Sequence, residues 1–460
     1  MAGPEKKPNA WEGQWVGVIG LGYVGIATAV ALAQHGRSVR CYERDSEKAR
    51  HMRDGSVPIF EPGIEELFGG SIASGSITLS KSIAEVLLDS QVVFVAVGTP
   101  PASDGSPDLS YVDQVATEMA GLLEPGHVIV LKSTVPPETY RRVRSIIQTE
   151  RARMELPPVD FDVAVNPEFL REGQAVKDSL FPERIVVGVD SDRAAAALTD
   201  IYRSFGAPIV LMDPVSAMLV KYASNCFLAT KISFINEMAR ICELAGGDVS
   251  EVARGMGMDT RIGRQFLRAG LGYGGSCFPK DTVGLLSIGR SLGYEPEVVK
   301  AAVSVNARQY VVAIGKLERL IGPLRDKVVS VLGLAFKADT DDTRESVSLK
   351  LISALLESGT AVRAHDYRAI ENARTGLAGV AFFDDPYEAV AGCDATVLAT
   401  EWPDYGQLDW GRIHNLMKGN VVIDGRNLLN GSRLIEMGFR YEGIGLLPHS
   451  KEGTLSSRYE

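Results

Sequence analysis

Along the first part of the chain, short apolar runs recur, each closed by a polar or glycine-proline loop. "WVGVIG" leads into an alanine-rich stretch of helical character and a second apolar run ending at Glu43. "VVFVAVGTPP", "HVIVLKSTVPP" and "FDVAVNPEFLREG" follow in the same style. Apolar runs of strand length alternating with helical segments predict a parallel sheet buried on both faces. After Gly322 the pattern returns in "KVVSVLGLAF", "AVRAHD", "ATVLAT" and "NVVIDGRN". Between these regions, Pro214 to Ala245 holds no internal proline or glycine and is apolar most of the way round. It predicts one long helix, buried on much of its surface, that forms a spine between domains and a subunit contact.

Gly20, Gly22 and Gly25 fall in GxGxxG spacing directly after the strand Val16 to Ile19 and open the following helix. Glycines there permit a tight turn, close approach to a pyrophosphate and close helix-strand packing, while the helix N-terminus supplies N–H groups. Glu43 ends the second strand, where an acidic residue suits the ribose hydroxyls of NAD. Arg44 beside it would suit the 2'-phosphate of NADP, but the carboxylate repels that phosphate, so NAD is expected. Ligands of parallel sheets bind beyond the carboxyl ends of the strands, so Thr99, Thr134 and Glu168 are expected near the glycine loop. Either threonine alone reads equally well as a helix N-cap. Glu168 directly follows a buried strand and needs a cleft or a partner.

At 460 residues the chain is too long for one core, and two or three domains are expected. Its net charge of -10 argues against a nucleic-acid partner, though not against a small anion held by local cations. The five cysteines show neither disulfide nor metal-site spacing, so no metal is expected. The opening "MAGPEKKPNAWEGQW" lacks the apolar core of a signal peptide, and no apolar run is long enough to span a membrane. These features predict a cytoplasmic enzyme.

The chemistry concentrates in "GLGYGGSCFPKD", Gly270 to Asp281. A nucleophilic cysteine must be reached by substrate and held as thiolate, which close glycine backbone and neighbouring cations allow. Combined with an NAD fold, Cys277 suggests capture of an aldehyde as a thiohemiacetal, loss of a second hydride and hydrolysis of the thioester. Lys221 and Asn225, at i and i+4 on the long helix, are read as donors to a developing oxyanion, against a salt bridge and a structural hydrogen bond. In the second sheet region, which lacks GxGxxG, the loop residues Lys337, Thr343, Arg344 and Arg426 suit phosphate oxygens.

From about Trp15 to about Gly445 the chain resembles the UDP-glucose/GDP-mannose dehydrogenase family. The resemblance runs in order through "GLGYVG", "EPGIEEL", "STVPP", "NPEFLREG", "KYASNCFLATKISFINE", "RIGRQFL", "GYGGSCFPKD", "GLAFKADTDDTRES" and "IDGRN". The family oxidises the terminal alcohol of nucleotide-diphosphate sugars to uronic acids with two NAD. The resemblance implies an α/β chain of two Rossmann-like doubly wound parallel-sheet domains joined by the long helix. Residues 1–212 would bind NAD, 213–322 would form a central helical dimerisation domain, and 323–460 would bind the UDP-sugar. It makes Cys277 the nucleophile and Glu168 the residue that activates water on the thioester. Lys221, Asn225, Asp281 and Thr134 would position or stabilise the reacting oxygen and an ordered water. Cofactor contacts would come from Gly20, Gly22, Tyr23, Val24, Gly25, Glu43, Thr99, Thr134, Lys280 and Arg344. Substrate contacts would come from Phe169, Leu170, Glu172, Lys221, Asn225, Tyr273, Gly274, Lys337 and Arg426, with Arg261 reaching the sugar site of a neighbouring subunit in a homodimer or larger homo-oligomer.

"RIGRQFL" and "SCFPKD" favour UDP-glucose over GDP-mannose or an N-acetylated UDP-hexosamine. Two departures from the family pattern stand out. "STVPPET" lacks the glycine common after its prolines, and Glu43 replaces the usual aspartate. A one-step hydroxyacid dehydrogenase shares a dinucleotide domain and a long central helix but needs no cysteine. A nucleotide-sugar sensor would not need Cys277, Lys221 and Glu168 together.

Overall fold

The computed structural model describes residues 15–102 and 104–446. All of the amino-terminal stretch read above for a signal peptide, apart from Trp15, lies outside them. By compactness the chain divides into two units, residues 1–223 and 224–460.

In the first unit, β1 (Trp15–Ile19), β2 (Val39–Tyr42), β3 (Ile77–Leu79), β4 (Ser90–Val95), β5 (Val128–Leu131), β6 (Asp162–Val165), β7 (Ile185–Gly188) and β8 (Ile209–Met212) form one sheet. Their order is β3-β2-β1-β4-β5-β6-β7-β8. The first six are parallel, with Val18 of β1 opposite Cys41 on one side and Phe94 on the other. β7 meets β6 antiparallel at Val165 and Gly188, and β8 runs parallel to β7. Strands β5 and β6 are buried at every residue, as continuous Val, Ile and Leu runs require in a sheet covered on both faces. Phe68, Phe94, Leu21 and Ile26 fill the layers, and each contributes about 2–3 kcal/mol by leaving water. The order reverses between β1 and β4, so the crevice beyond their carboxyl ends is the expected ligand position.

The second unit repeats this plan. β9 (Val328–Leu332), β10 (Ala361–His365), β11 (Val380–Phe382), β12 (Ala395–Leu398), β13 (Val421–Asp424) and β14 (Arg440–Gly443) are ordered β11-β10-β9-β12-β13-β14, all parallel. Here the reversal lies between β9 and β12.

The helix Pro214–Ala245 has the bounds that its sequence predicts. Proline opens it without loss, since its missing N–H would be unpaired in the first turn, and Asp213 Oδ1 accepts the Ser216 amide at 2.9 Å. Gly246 closes it with φ of 77°. Strands β3, β7, β8, β11 and β14 were not anticipated. β3 and β11 have only three residues each, and the polar "RYEG" of β14 carries no strand pattern. Among the described residues no helix is long and apolar enough to cross a membrane.

Candidate active site

The glycine loop of the first unit makes the turn from β1 into the helix Tyr23–Gln34. A Cβ on Gly25 would overlap the Gly20 carbonyl oxygen, so helix and strand could not approach as they do with any larger residue. A Cβ on Gly22 would meet nothing within 4 Å, which leaves the backbone facing open space. This helix has no side-chain cap and no acidic residue in its first turn, so its first amides stay available to an anion. A cavity of about 660 Å³ opens there, lined by Gly20, Gly22, Glu43, Arg44, Gly98 and Gln114 among others. Glu43 accepts the Leu21 amide at 2.9 Å and the Asp45 amide at 3.0 Å, and Arg44 bonds Gln114. The residues present fit a dinucleotide: an open cradle, free helix amides and an acid at the rim.

Tyr23 uses its hydroxyl differently. It donates to Glu61, whose carboxylate also takes the Gly173 and Ala175 amides at 2.6 and 2.7 Å. Val24 is half-buried, and its carbonyl accepts the Thr28 hydroxyl at 2.7 Å. Thr99 Oγ1 donates to the Thr134 carbonyl at 3.0 Å, which ties the loops after β4 and β5 together.

Beyond β6 lies a charged cluster. Lys221 Nζ donates to Glu168 Oε1 at 2.7 Å, and both residues are buried, while the Leu170 amide reaches Glu168 Oε2 at 2.7 Å. Burial pushes the Glu168 carboxyl up. The Lys221 charge and hydrogen bond, the Leu170 amide and the Lys132 charge more than offset this and leave it below the ordinary carboxylate range. Arg184 stacks on the Phe169 ring at 4.2 Å, with Lys221 at 5.7 Å, and Glu172 is half-buried nearby in sequence. Lys132 had no part in the sequence reading. Its Nζ donates to Asn166 Oδ1 at 2.8 Å, which also accepts the Tyr202 hydroxyl. Loss of solvation lowers the Lys132 ammonium to about 8, with Glu168 raising it and Lys221 lowering it further. Its position at the end of β5 in "LKSTVPP" was the available signal.

In the second unit Cys277 immediately precedes the helix Phe278–Ser291 and is partly exposed, while the other four cysteines are buried. Ser276 Oγ lies 3.5 Å from its sulfur. Asp281, 1% exposed, accepts Asn225 Nδ2 at 2.6 Å and Lys280 Nζ at 2.7 Å. Lys221 and Asn225 share a helix face but serve different acids, Glu168 and Asp281.

The glycine run before Cys277 is fastened rather than free. Gly270 is held through its amide by Asn236 and through its carbonyl by Gln309, at 2.8 and 2.9 Å. Asn306 bonds both the amide and the carbonyl of Tyr273. The Leu271 amide donates to the Gly425 carbonyl at 3.0 Å and the Gly275 amide to the Arg344 carbonyl at 2.9 Å. A Cβ on Gly274 would overlap the Glu345 carbonyl oxygen, and one on Gly275 would lie 2.7 Å from the Phe336 ring. These glycines therefore serve close approach to the loops at the carboxyl ends of the second sheet.

The residues expected to meet phosphates are variously engaged. Arg344 is exposed and forks onto Asp342, Lys337 is half-buried with its ammonium 5.5 Å from the Phe336 ring centre, and Arg426 bonds main-chain carbonyls. Arg261 lies beyond the helix Val249–Gly257, with its side chain 87% exposed and paired with Asp259 at 2.6 Å.

Asp366 was not anticipated either. It directly follows β10 and is buried, and its carboxylate accepts the Leu334, Ala335, Arg368 and Ala369 amides and the Trp402 indole. The loop after β9 thus has two of its amides already taken by an internal acid, and Tyr367 and Trp402 pack edge to face beside it.

Three family models match consecutive stretches of the chain. They describe the UDP-glucose/GDP-mannose dehydrogenase family NAD binding domain (residues 14–206), central domain (215–308) and UDP binding domain (330–431). A UDP-glucose 6-dehydrogenase of Pseudomonas aeruginosa is 44% identical over 442 residues, covering 93% of this chain and 96% of that protein. UDP-glucose 6-dehydrogenase TuaD of Bacillus subtilis is 41% identical over 431 residues, 94% of this chain and 93% of its own. Among solved structures, a UDP-glucose dehydrogenase from Pyrobaculum islandicum superposes with a TM-score of 0.88 at 41% identity, covering 96% of this chain and 100% of that one. A UDP-D-ManNAc dehydrogenase from Pyrococcus horikoshii gives 0.83 at 30% identity, with 94% and 99% covered.

Proposed function

The chain belongs to the UDP-glucose/GDP-mannose dehydrogenase family, and we propose that it oxidises UDP-glucose to UDP-glucuronate by two successive NAD-dependent steps through Cys277. One observation carries the two-step reading: of five cysteines, only the one that ends the fastened glycine run is accessible, and it sits at a helix N-terminus, where an anionic sulfur is favoured.

Bound in the cradle of the first unit, NAD supplies a hydride acceptor for each oxidation. We assign cofactor binding to residues 1–212, with Glu43 on the ribose hydroxyls, dimerisation to 213–322, and UDP-sugar binding to 323–460. The first oxidation converts the C6 alcohol to an aldehyde with loss of a hydride and a proton. Cys277 Sγ then adds to C6, forming a carbon-sulfur bond and a thiohemiacetal. Lys221, and Asn225 held by Asp281, stabilise the oxygen on C6. Loss of a second hydride and the hydroxyl proton leaves a thioester. Glu168, ionised by its neighbours, draws a proton from water as the water oxygen attacks C6. The carbon-sulfur bond breaks, and thiol and carboxylate are released. Mixing with UDP-glucose and NAD should give two NADH per sugar consumed; a ratio of one would refute the reading.

UDP-glucose is favoured over other nucleotide sugars because the relatives at 41–44% identity carry that substrate in their names. The long helix exposes Phe227 (66%), Phe234 (43%) and Ile241 (50%) at seven-residue spacing, a stripe suited to a second copy of the chain. We propose a homodimer built on it, working in the cytoplasm, where free thiols persist.

A further inference from the structure

Resting on the reading of Cys277 as nucleophile, we infer that Arg426 is a positioning residue that holds the Cys277 loop through the Gly272 carbonyl, in addition to any contact with substrate phosphate. Its guanidinium joins three separate segments of the second unit. Nε donates to the Ala399 carbonyl at 2.7 Å, Nη1 to Gly272 at 3.0 Å and Nη2 to Phe336 at 3.3 Å. Ala399 follows β12, Phe336 follows β9, and Gly272 lies five residues before the nucleophile. The side chain is 13% exposed and has Glu401 at 3.2 Å as counter-ion.

The three carbonyls are each met by a different nitrogen of one guanidinium. Only a guanidinium presents N–H groups in that fork; an ammonium is a compact point donor on a flexible stem. The main chain on either side of Arg426 adds to the clasp. Gly425 accepts the Leu271 amide, and a Cβ on Gly270 would sit 2.8 Å from the Gly425 carbonyl oxygen. The run therefore cannot shift without the end of β13.

The crevice between the ends of β9 and β12 is where a sheet of this order takes its ligand. Arg426 bonds the loops on both sides of that crevice and the cysteine loop with one planar group. Occupancy of the crevice by a uridine diphosphate moiety is thereby transmitted to the sulfur, so the thiol is set in place when the nucleotide end of the substrate is bound.

The experiment compares wild type with Arg426→Lys, which keeps the charge, and Arg426→Gln, which keeps a planar donor. The rate of Cys277 alkylation by iodoacetamide is read by peptide mass spectrometry, with and without UDP. The four buried cysteines report unfolding. UDP should change the wild-type rate by about threefold or more and leave both variants unmoved. Without ligand the variants should differ from wild type by about fivefold or more, and kcat at saturating UDP-glucose should fall by about a hundredfold, beyond any rise in KM. Wild-type alkylation in ligand-free variants with only KM raised would reduce Arg426 to a substrate contact and overturn the inference. Reactive buried cysteines in both variants would overturn it too, in favour of a general scaffold role. Alkylation needs no turnover, so an enzyme that formed one NADH per sugar would refute the functional reading alone.

Discussion

Asp366 stands in the second sheet where Glu43 stands in the first. Each directly follows the strand beside the central one, and each accepts a main-chain N–H from the loop after that central strand. They differ in what remains over. Glu43 lines an open cavity, whereas Asp366 is buried under the Trp402 indole. One position is open to a ribose and the other is sealed.

Glu43 should therefore set cofactor choice. A carboxylate about 5 Å from a phosphate at an effective dielectric of about 20 costs about 3 kcal/mol, so NAD should exceed NADP in kcat/KM by about a hundredfold. Glu43→Ala should narrow that ratio in steady-state assays. Equal use of both cofactors by the wild type would mean that Arg44 faces the ribose.

Cys277→Ser should bind UDP-glucose yet release almost no acid, with turnover down by about a thousandfold or more, because a hydroxyl is a poorer nucleophile near neutral pH and an ester a poorer leaving partner than a thioester. Near-normal NADH production would remove Cys277 from the mechanism.

If Glu168 serves hydrolysis alone, Glu168→Gln should complete both hydride steps and stall as a thioester. Intact-protein mass spectrometry after mixing with UDP-glucose and NAD should show the added sugar nucleotide. An unmodified mass with hydride transfer abolished would give Glu168 an earlier role. Lys221→Met should destabilise the protein by about 3–5 kcal/mol, since it leaves a buried carboxylate without its cation.

Lys132 should leave a mark on stability against pH. The groups facing it are Glu168, Lys221, Asn166 and the Tyr202 ring. Its ammonium titrates at about 8 when folded, below the 10.5 of an ordinary lysine. Between these values the unfolded chain keeps the proton that the folded one has released. Stability from this group therefore rises with pH across that window and is flat below it. Urea denaturation at a series of pH values should show the rise in wild type and its loss in Lys132→Met.

Arg261 should act across the subunit boundary. Arg261→Ala and Cys277→Ala, each inactive alone, should regain part of the activity when mixed, because a hybrid dimer holds one site with both residues intact. Native mass spectrometry of tagged chains measures the exchange. Complete exchange without recovery would refute the shared site.

The parts of the molecule that follow local rules were legible in the sequence. The bounds of the long helix follow from Pro214 and Gly246, and the glycine loop from strand, spacing and acid together. Short edge strands such as β3 and β11 carry too few residues for a pattern. Lys132 and Asn166 gain meaning only once β5 and β6 are paired. The partners of Arg426 lie 27, 90 and 154 residues away, a relation that no periodicity records.

The fastening of the glycine run also limits how the protein can change over generations. A side chain at Gly274 collides with the main chain at Glu345, and main chain cannot be trimmed by substitution. Accommodating a larger residue there would need the loop 344–346 to be rebuilt at the same time, by insertion or deletion. Variation in the two segments is therefore expected to be inherited jointly. A lineage that rebuilt that loop would have to carry a matching alteration in the cysteine segment.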